Sequence, residues 1–107
     1  YKRAQAARQV LRNQFNAVFE TVDMLIGPVS PVLPFLIGEK SEDPLAMYLA
    51  DIYTVPVNLV GVPALSVPGG WVDEGGSRLP VGVHLIGRNW GEEQLFDLGT
   101  HVEKGVA

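Results

Sequence analysis

The 107-residue sequence contains no cysteine, which removes disulfides, thiolate zinc sites and a cysteine nucleophile from consideration. Charge is also scarce. Charged side chains make up 19% of the residues, and the net charge of -4 offers no basic footprint for nucleic acid. No apolar run approaches the ~18 residues that a membrane helix requires. Neither internal repeats nor low-complexity tracts are present, and the first residues read as a helix with no signal-peptide pattern. The expectation is a soluble protein, and the absence of an initiator methionine suggests that the sequence starts inside a longer one.

What remains is a chain rich in apolar residues, 47% of the total, which is the composition of a globular domain. A chain of this length is sufficient for one domain that buries roughly 65% of its unfolded surface. The most informative stretch is residues 43–70, DPLAMYLADIYTVPVNLVGVPALSVPGG. Between Pro44 and Asp73 its only charged residue is Asp51. A carboxylate among Leu, Met, Tyr, Ile, Val and Pro is costly to bury unless a cation or several donors meet it.

Local signals divide this stretch. Asp43 can cap a helix whose first position is Pro44. Helical spacing puts Leu45, Tyr48, Leu49 and Ile52 on one apolar face and turns Met47 and Asp51 away from it. Thr54 can cap a second short helix with Pro56 in its first turn, and Gly61 followed by Pro63 would stop it. Residues 64–67 read as a buried strand closed by Pro68, Gly69 and Gly70.

The flanking segments complete the pattern. Ala7, Leu11, Phe15, Val18 and Val22 recur at helical spacing, so residues 1–21 are expected to form a helix. Lys2, Arg3, Arg8 and Arg12 lie in its first dozen residues with no acid among them. Such a face is ordinarily solvated, the alternative being contact with an acidic partner or with another part of a larger protein. Residues 22–26 suit an inner strand. Pro28, Pro31 and Pro34 then follow at the spacing of an extended turn, read as a rigid crossing loop in preference to a docking ladder for SH3-like domains.

Residues 38–42, GEKSE, read as an exposed polar link. Trp71 and Val72 lead into a turn of several residues, Asp73 to Ser77, and the strand returning over 79–87 is apolar at both alternating sets, as if covered on both sides. Glu92 and Glu93 open a last helix with Leu95, Leu98 and Val102 inside and Phe96 beside them.

DPLAMY, Asp51, TVPVNLVGVPALSVP and LPVGVHLIG together resemble the C-terminal part of amidase-signature enzymes. The similarity is strongest to the A subunit of the tRNA-dependent amidotransferases that act on Glu-tRNA(Gln) or Asp-tRNA(Asn), and DPLAMY favours that group. The resemblance implies an α/β class, as a piece of an α/β/α sandwich with a mixed sheet in which a β-hairpin is flanked by helices. It implies a cytoplasmic subunit that releases ammonia from glutamine, with B and C subunits as partners. ATP and Mg would act at the B subunit, no cofactor would sit in this chain, and tRNA would be met only through the complex.

Enzymes of this kind use a serine activated through a second serine and a lysine. Their Gly-Gly-Ser-Ser run is missing here, since GGW and EGGS lack it, and Lys2, Lys40 and Lys104 stand in unrelated contexts. No catalytic residue is therefore expected in the chain, and it alone is expected to be inactive. Ser66, His84, His101 and Asp51 supply the residue types of a hydrolytic triad, but no nucleophile-elbow pattern surrounds Ser66. His84 stands where relatives often carry an amide side chain. Two histidines without a third ligand are poor grounds for a metal site.

The resemblance gives Asp51 the role of holding the amino group of glutamine. A carboxylate in an apolar pocket pairs well with an ammonium group. The structural alternatives are an Asp that caps the following helix or pairs with an arginine. Tyr48, Thr54, Asn58 and Ser66 are nearby polar groups with ordinary structural uses. The alternatives for the whole chain are the C-terminal part of another amidase-signature amide hydrolase and a non-catalytic interaction module.

Overall fold

The computed structural model describes residues 1–39 and 42–106. Lys40 and Ser41, in the polar link expected over 38–42, lie outside the described residues.

The first helix, α1 (Lys2–Phe19), forms where the apolar spacing places it. Strand β1 (Leu25–Pro28) begins three residues later than the run at 22–26 suggests. The carbonyl of Val22 is occupied by the Arg88 guanidinium at 3.0 Å, so this residue does not join a ladder. Two short helices follow, α2 (Pro44–Ala50) and α3 (Val55–Val60), then strands β2 (Ala64–Glu74) and β3 (Ser77–Ile86), and finally α4 (Glu92–Gly105).

The sheet has the order β1-β3-β2, and both pairings are antiparallel. Within this chain the sheet is thus antiparallel, and the parallel pairing implied by a mixed sheet is absent among the described residues. The strand expected to be internal, β1, stands at an edge. That position tolerates Pro28, which has no N–H to give to a second neighbour.

The hairpin is longer and tighter than its sequence suggests. Glu74 pairs with Ser77, leaving only Gly75 and Gly76 in the loop, with φ of 59° and 80°. A two-residue turn with both φ values positive matches strand twist, and glycine enters it without steric cost. Pro68-Gly69-Gly70 does not close β2 but interrupts its register: Pro68 faces Gly82 while Gly70 faces Val81. A side chain at Gly69 would lie 2.6 Å from Val83 Cγ2. The bulge is where proline can enter a strand without breaking the ladder.

The alternation of β3 splits the apolar side chains between two faces. Leu85, fully buried, packs with Val67 of β2 and Leu95 of α4, supported by Leu65, Val83, Leu98 and Val102. Ile86, on the opposite face, joins Leu25, Phe19, Val57, Val60 and Val62 beneath α1 and α3. Helices thus cover both faces of one sheet. Gly99 brings α4 close, since a Cβ there would lie 2.8 Å from Leu65 Cδ2 and 3.2 Å from Val67 Cγ1.

Coverage is uneven. The chain is a slab of 45 × 37 × 17 Å, and α2 contains no buried residue. Its expected packing face is open, with Leu45 and Tyr48 both about two-thirds exposed (65% and 64%). The far end of the hairpin is exposed too, so only the His84–Ile86 end of β3 is enclosed in the way expected of the whole strand. Among the described residues no helix is long and apolar enough to cross a membrane.

Candidate functional site

Asp43 caps α2 as expected, its Oδ1 accepting from the backbone N–H groups of Leu45 and Ala46, both at 3.1 Å. The helix ends at Asp51, which has φ of -104° and ψ of 10°. The chain then bends directly into α3. The backbone carbonyl of Asp51 accepts from Thr54 N, Val55 N and Thr54 Oγ1, all at 3.1 Å.

These bonds revise one assignment. Thr54 does not cap α3 through its side chain; its hydroxyl points back and donates to Asp51. Among the described residues neither structural alternative for the Asp51 carboxylate is realised. The helix start is served by the Asp51 main chain, and no arginine among the described residues pairs with its side chain. That side chain is exposed, so these residues do not themselves supply the apolar enclosure expected around it.

Helix α3 is held at its other end by α1. Arg12 Nε donates to the carbonyl of Val60 at 3.0 Å, and Arg8 Nε donates to that of Leu59. Gly61, with φ of 82°, ends the helix in the left-handed region as its sequence suggests. The last carbonyls of a helix lack intrahelical donors and carry partial negative charge, so two guanidinium groups are well matched to them. Part of the basic face expected to be solvated is therefore occupied within the chain.

Between α3 and the sheet lies a hollow of about 230 Å³ lined by Thr54, Asn58, Ser66 and His84, with Val29, Val57 and their apolar neighbours. Ser66 and His84 are opposite each other in the β2–β3 ladder, so their side chains share a face. His84 is only 6% exposed. Burial holds its pKa below the ordinary histidine value and favours the neutral ring.

A second hollow, about 500 Å³, lies under the proline segment, between residues 28–35 and the bulged part of the hairpin at Ser66 and residues 80–82. Ser30 anchors that segment by donating to Ala50 O at 3.1 Å. The segment crosses the sheet face as the sequence reading expects.

Of the four residues that could supply a triad, Ser66 and His84 share the hollow between α3 and the sheet, but among the described residues no hydrogen bond joins their side chains to each other or to that of Asp51. His101 lies on α4, across the sheet from His84, with Nδ1 2.7 Å from the Asp97 carbonyl. Among the described residues no cluster of His, Cys, Asp and Glu could hold a metal. Sequence reasoning set Thr54, Asn58 and Ser66 near the Asp51 pocket but did not bring His84 to them. The signal was available only in part: a single histidine in an otherwise apolar strand, opposite a serine two residues before Pro68.

Comparison with known proteins places these features in context. Residues 1–96 match the family model described as Amidase. The chain is 50% identical over 104 residues to a glutamyl-tRNA(Gln) amidotransferase A subunit of Clostridium acetobutylicum, covering 97% of this chain and 21% of that protein. It is 50% identical over 107 residues to the glutamyl-tRNA(Gln) amidotransferase A subunit of Methanospirillum hungatei, covering all of this chain and 24% of the relative. Among solved structures, an allophanate hydrolase of Kluyveromyces lactis with the S177A substitution superimposes with a TM-score of 0.69 at 31% identity, over 89% of this chain and 15% of that one. An amidase crystal structure superimposes with a TM-score of 0.79 at 24% identity over the whole chain and 25% of its own, a likeness of fold. The chain thus spans between a fifth and a quarter of the length of the relatives it matches over nearly all its own residues.

Proposed function

The chain belongs to the amidase family, and on that premise we propose that it is the C-terminal part of the A subunit of a tRNA-dependent amidotransferase. The observation that carries this reading is the 50% identity to two such A subunits over essentially the whole chain. The complete subunit hydrolyses the side-chain amide of glutamine. The ammonia released serves the amidation of Glu-tRNA(Gln) or Asp-tRNA(Asn), with B and C subunits as partners and ATP and Mg used at the B subunit.

This chain contributes no nucleophile to that reaction. Its share is a wall of the glutamine site and part of the sheet beneath it. Asp51 receives the amino group of glutamine. Its carboxylate, without a protein partner among the described residues, is available to an ammonium group, and the remainder of the protein would complete the enclosure that makes such a pair strong. The α2–α3 bend fixes the main chain at Asp51 through the three bonds to its carbonyl.

In the complete enzyme, Asp51→Asn should lower glutamine-dependent product formation by about ten-fold or more, by analogy with losing a charge-assisted contact. Product formation with free ammonia should be retained. Equal losses with both nitrogen donors would overturn the assignment of Asp51.

A further inference from the structure

The hollow beside Asp51 has a composition that the Asp51 contact does not explain. His84 is more than nine-tenths buried, yet its ring nitrogens bond to no other described residue. Among the described residues, no buried side-chain polar atom is shut away without a partner. The His84 nitrogens therefore open on the hollow that this residue lines. A buried polar group left this way costs stability unless something meets it.

Space has been cleared around the ring. Gly27, which faces His84 from β1, has nothing within 4 Å of where a Cβ would stand. At Gly82, two residues before His84, a Cβ would lie 3.2 Å from Ser66 Oγ and 3.0 Å from Val29 Cγ2. A side chain at Gly82 would crowd the row that carries Ser66 and His84, while the space at Gly27 is open.

The lining also restricts what can enter. No charged residue lines the hollow, so an ionised group would meet no counter-charge there. The groups present both donate and accept. A neutral imidazole offers one of each, and the Ser66 hydroxyl offers both. One N–H of Asn58 Nδ2 is spent on the Thr54 carbonyl at 3.0 Å, and the Thr54 hydroxyl proton on that of Asp51. Each of these side chains keeps an oxygen able to accept.

We propose that the hollow formed by Thr54, Asn58, Ser66 and His84 is a binding subsite for an uncharged primary carboxamide. A carboxamide presents two N–H donors and one carbonyl acceptor, which the imidazole, hydroxyl and amide oxygens answer in kind. This deepens the function proposed above and rests on it: the amino end of glutamine is held at Asp51 and its amide end at Ser66 and His84. Thr54, bonded to the Asp51 carbonyl and lining the hollow, joins the two ends. His84 orients the amide and forms no covalent bond, leaving the carbonyl carbon open to a nucleophile from the rest of the protein.

The test uses the full-length protein in its complex, labelled with 15N-histidine. Propionamide should shift the His84 ring resonances saturably, whereas propionate and propylammonium should not. His84→Leu should lower the ratio of glutamine-supported to ammonia-supported product formation by about ten-fold or more. His84→Gln, which keeps a donor and an acceptor in place, should recover most of that loss.

The subsite is overturned if propionamide leaves the His84 resonances unmoved, or if His84→Leu lowers the rate equally with both nitrogen donors. Should Asp51→Asn change the ratio and His84→Leu not, the subsite falls while the glutamine reading stands. Should the protein make no use of glutamine while propionamide still moves the His84 signals, the glutamine reading falls and the carboxamide subsite stands.

Discussion

Arg12 Nε donates to the Val60 carbonyl at 3.0 Å, joining α1 to the end of a helix 48 residues further along the chain. Arg8, one helical turn earlier, grips the neighbouring carbonyl of Leu59. Four residues on an α-helix bring side chains to the same face, which is why one arginine pair can serve two successive carbonyls. The bond from Arg12 is partly buried, the one from Arg8 exposed, and their contributions should differ accordingly.

Arg12→Ala should destabilise the folded protein by about 1–2 kcal/mol, the range for a hydrogen bond with a charged donor at a helix end. Arg8→Ala should cost less than half of that. Urea unfolding of the protein that carries this chain, read at equilibrium, measures both. A solvated basic face would give no effect from either substitution.

Gly99 lies where α4 meets the sheet, and the branched side chain of valine would enter space held by Leu65 and Val67. Gly99→Val should destabilise by about 2–3 kcal/mol through overpacking. Gly99→Ala should cost less, because better helix propensity offsets part of the crowding and Leu65 can shift. Thermal unfolding of the two variants should rank them in that order.

At the hairpin tip, the φ of 80° at Gly76 excludes a β-branched residue without strain, whereas asparagine enters the left-handed region readily. Gly76→Val should therefore cost about 1–2 kcal/mol. Gly75→Asn, producing an Asn-Gly turn, should leave stability unchanged or slightly raised. Denaturant midpoints compare them directly.

Burial lowers the pKa of His84 in the folded state, so over the interval below the unfolded value of 6.5 the unfolded chain binds the proton and the folded one does not. Stability from this residue is then complete above that interval. It is lost progressively as the pH falls from 6.5 towards the native pKa, and levels off below it. A series of melting temperatures from pH 7.5 downward should show that slope, and His84→Gln should remove the part due to this residue.

Expressed alone, the chain leaves Ile26, Leu36, Ile37, Leu45, Tyr48 and Trp90 each more than half exposed. Apolar area of this kind leads to association in water. Light scattering should report a mass above the 11.6 kDa of the monomer. A stable monomer with no tendency to associate would count against this expectation.

The sequence was most legible where the signals were local. The Asp43-Pro44 cap, the Gly61 stop and the Leu95, Leu98 and Val102 stripe each depend on a few neighbouring residues, and each appears as read. Less was visible where an outcome depends on a distant partner. Nothing near Arg8 and Arg12 announces that they would meet Leu59 and Val60. The edge position of β1 depends on which strands flank β3, and the short turn at Gly75-Gly76 on how far the ladder extends. The apolar face of α2 was legible as a pattern, but a pattern does not name the surface that covers it. Asp51 was singled out because it interrupts an uncharged run, and its proposed role came from the family resemblance. The place of His84 beside Ser66 escaped because strand register, which no local signal prints, sets the two opposite each other.

The two carbonyls gripped by α1 have a consequence for the order in which the protein is made. A ribosome that has just completed Arg12 must add 48 more residues before Val60 exists, an interval of roughly 2.5–10 s at 5–20 residues per second. Until then the nascent α1 lacks the residues that later hold it, and its apolar stripe of Leu11, Phe15 and Phe19, once made, waits for Val57, Val60 and Val62 to cover it.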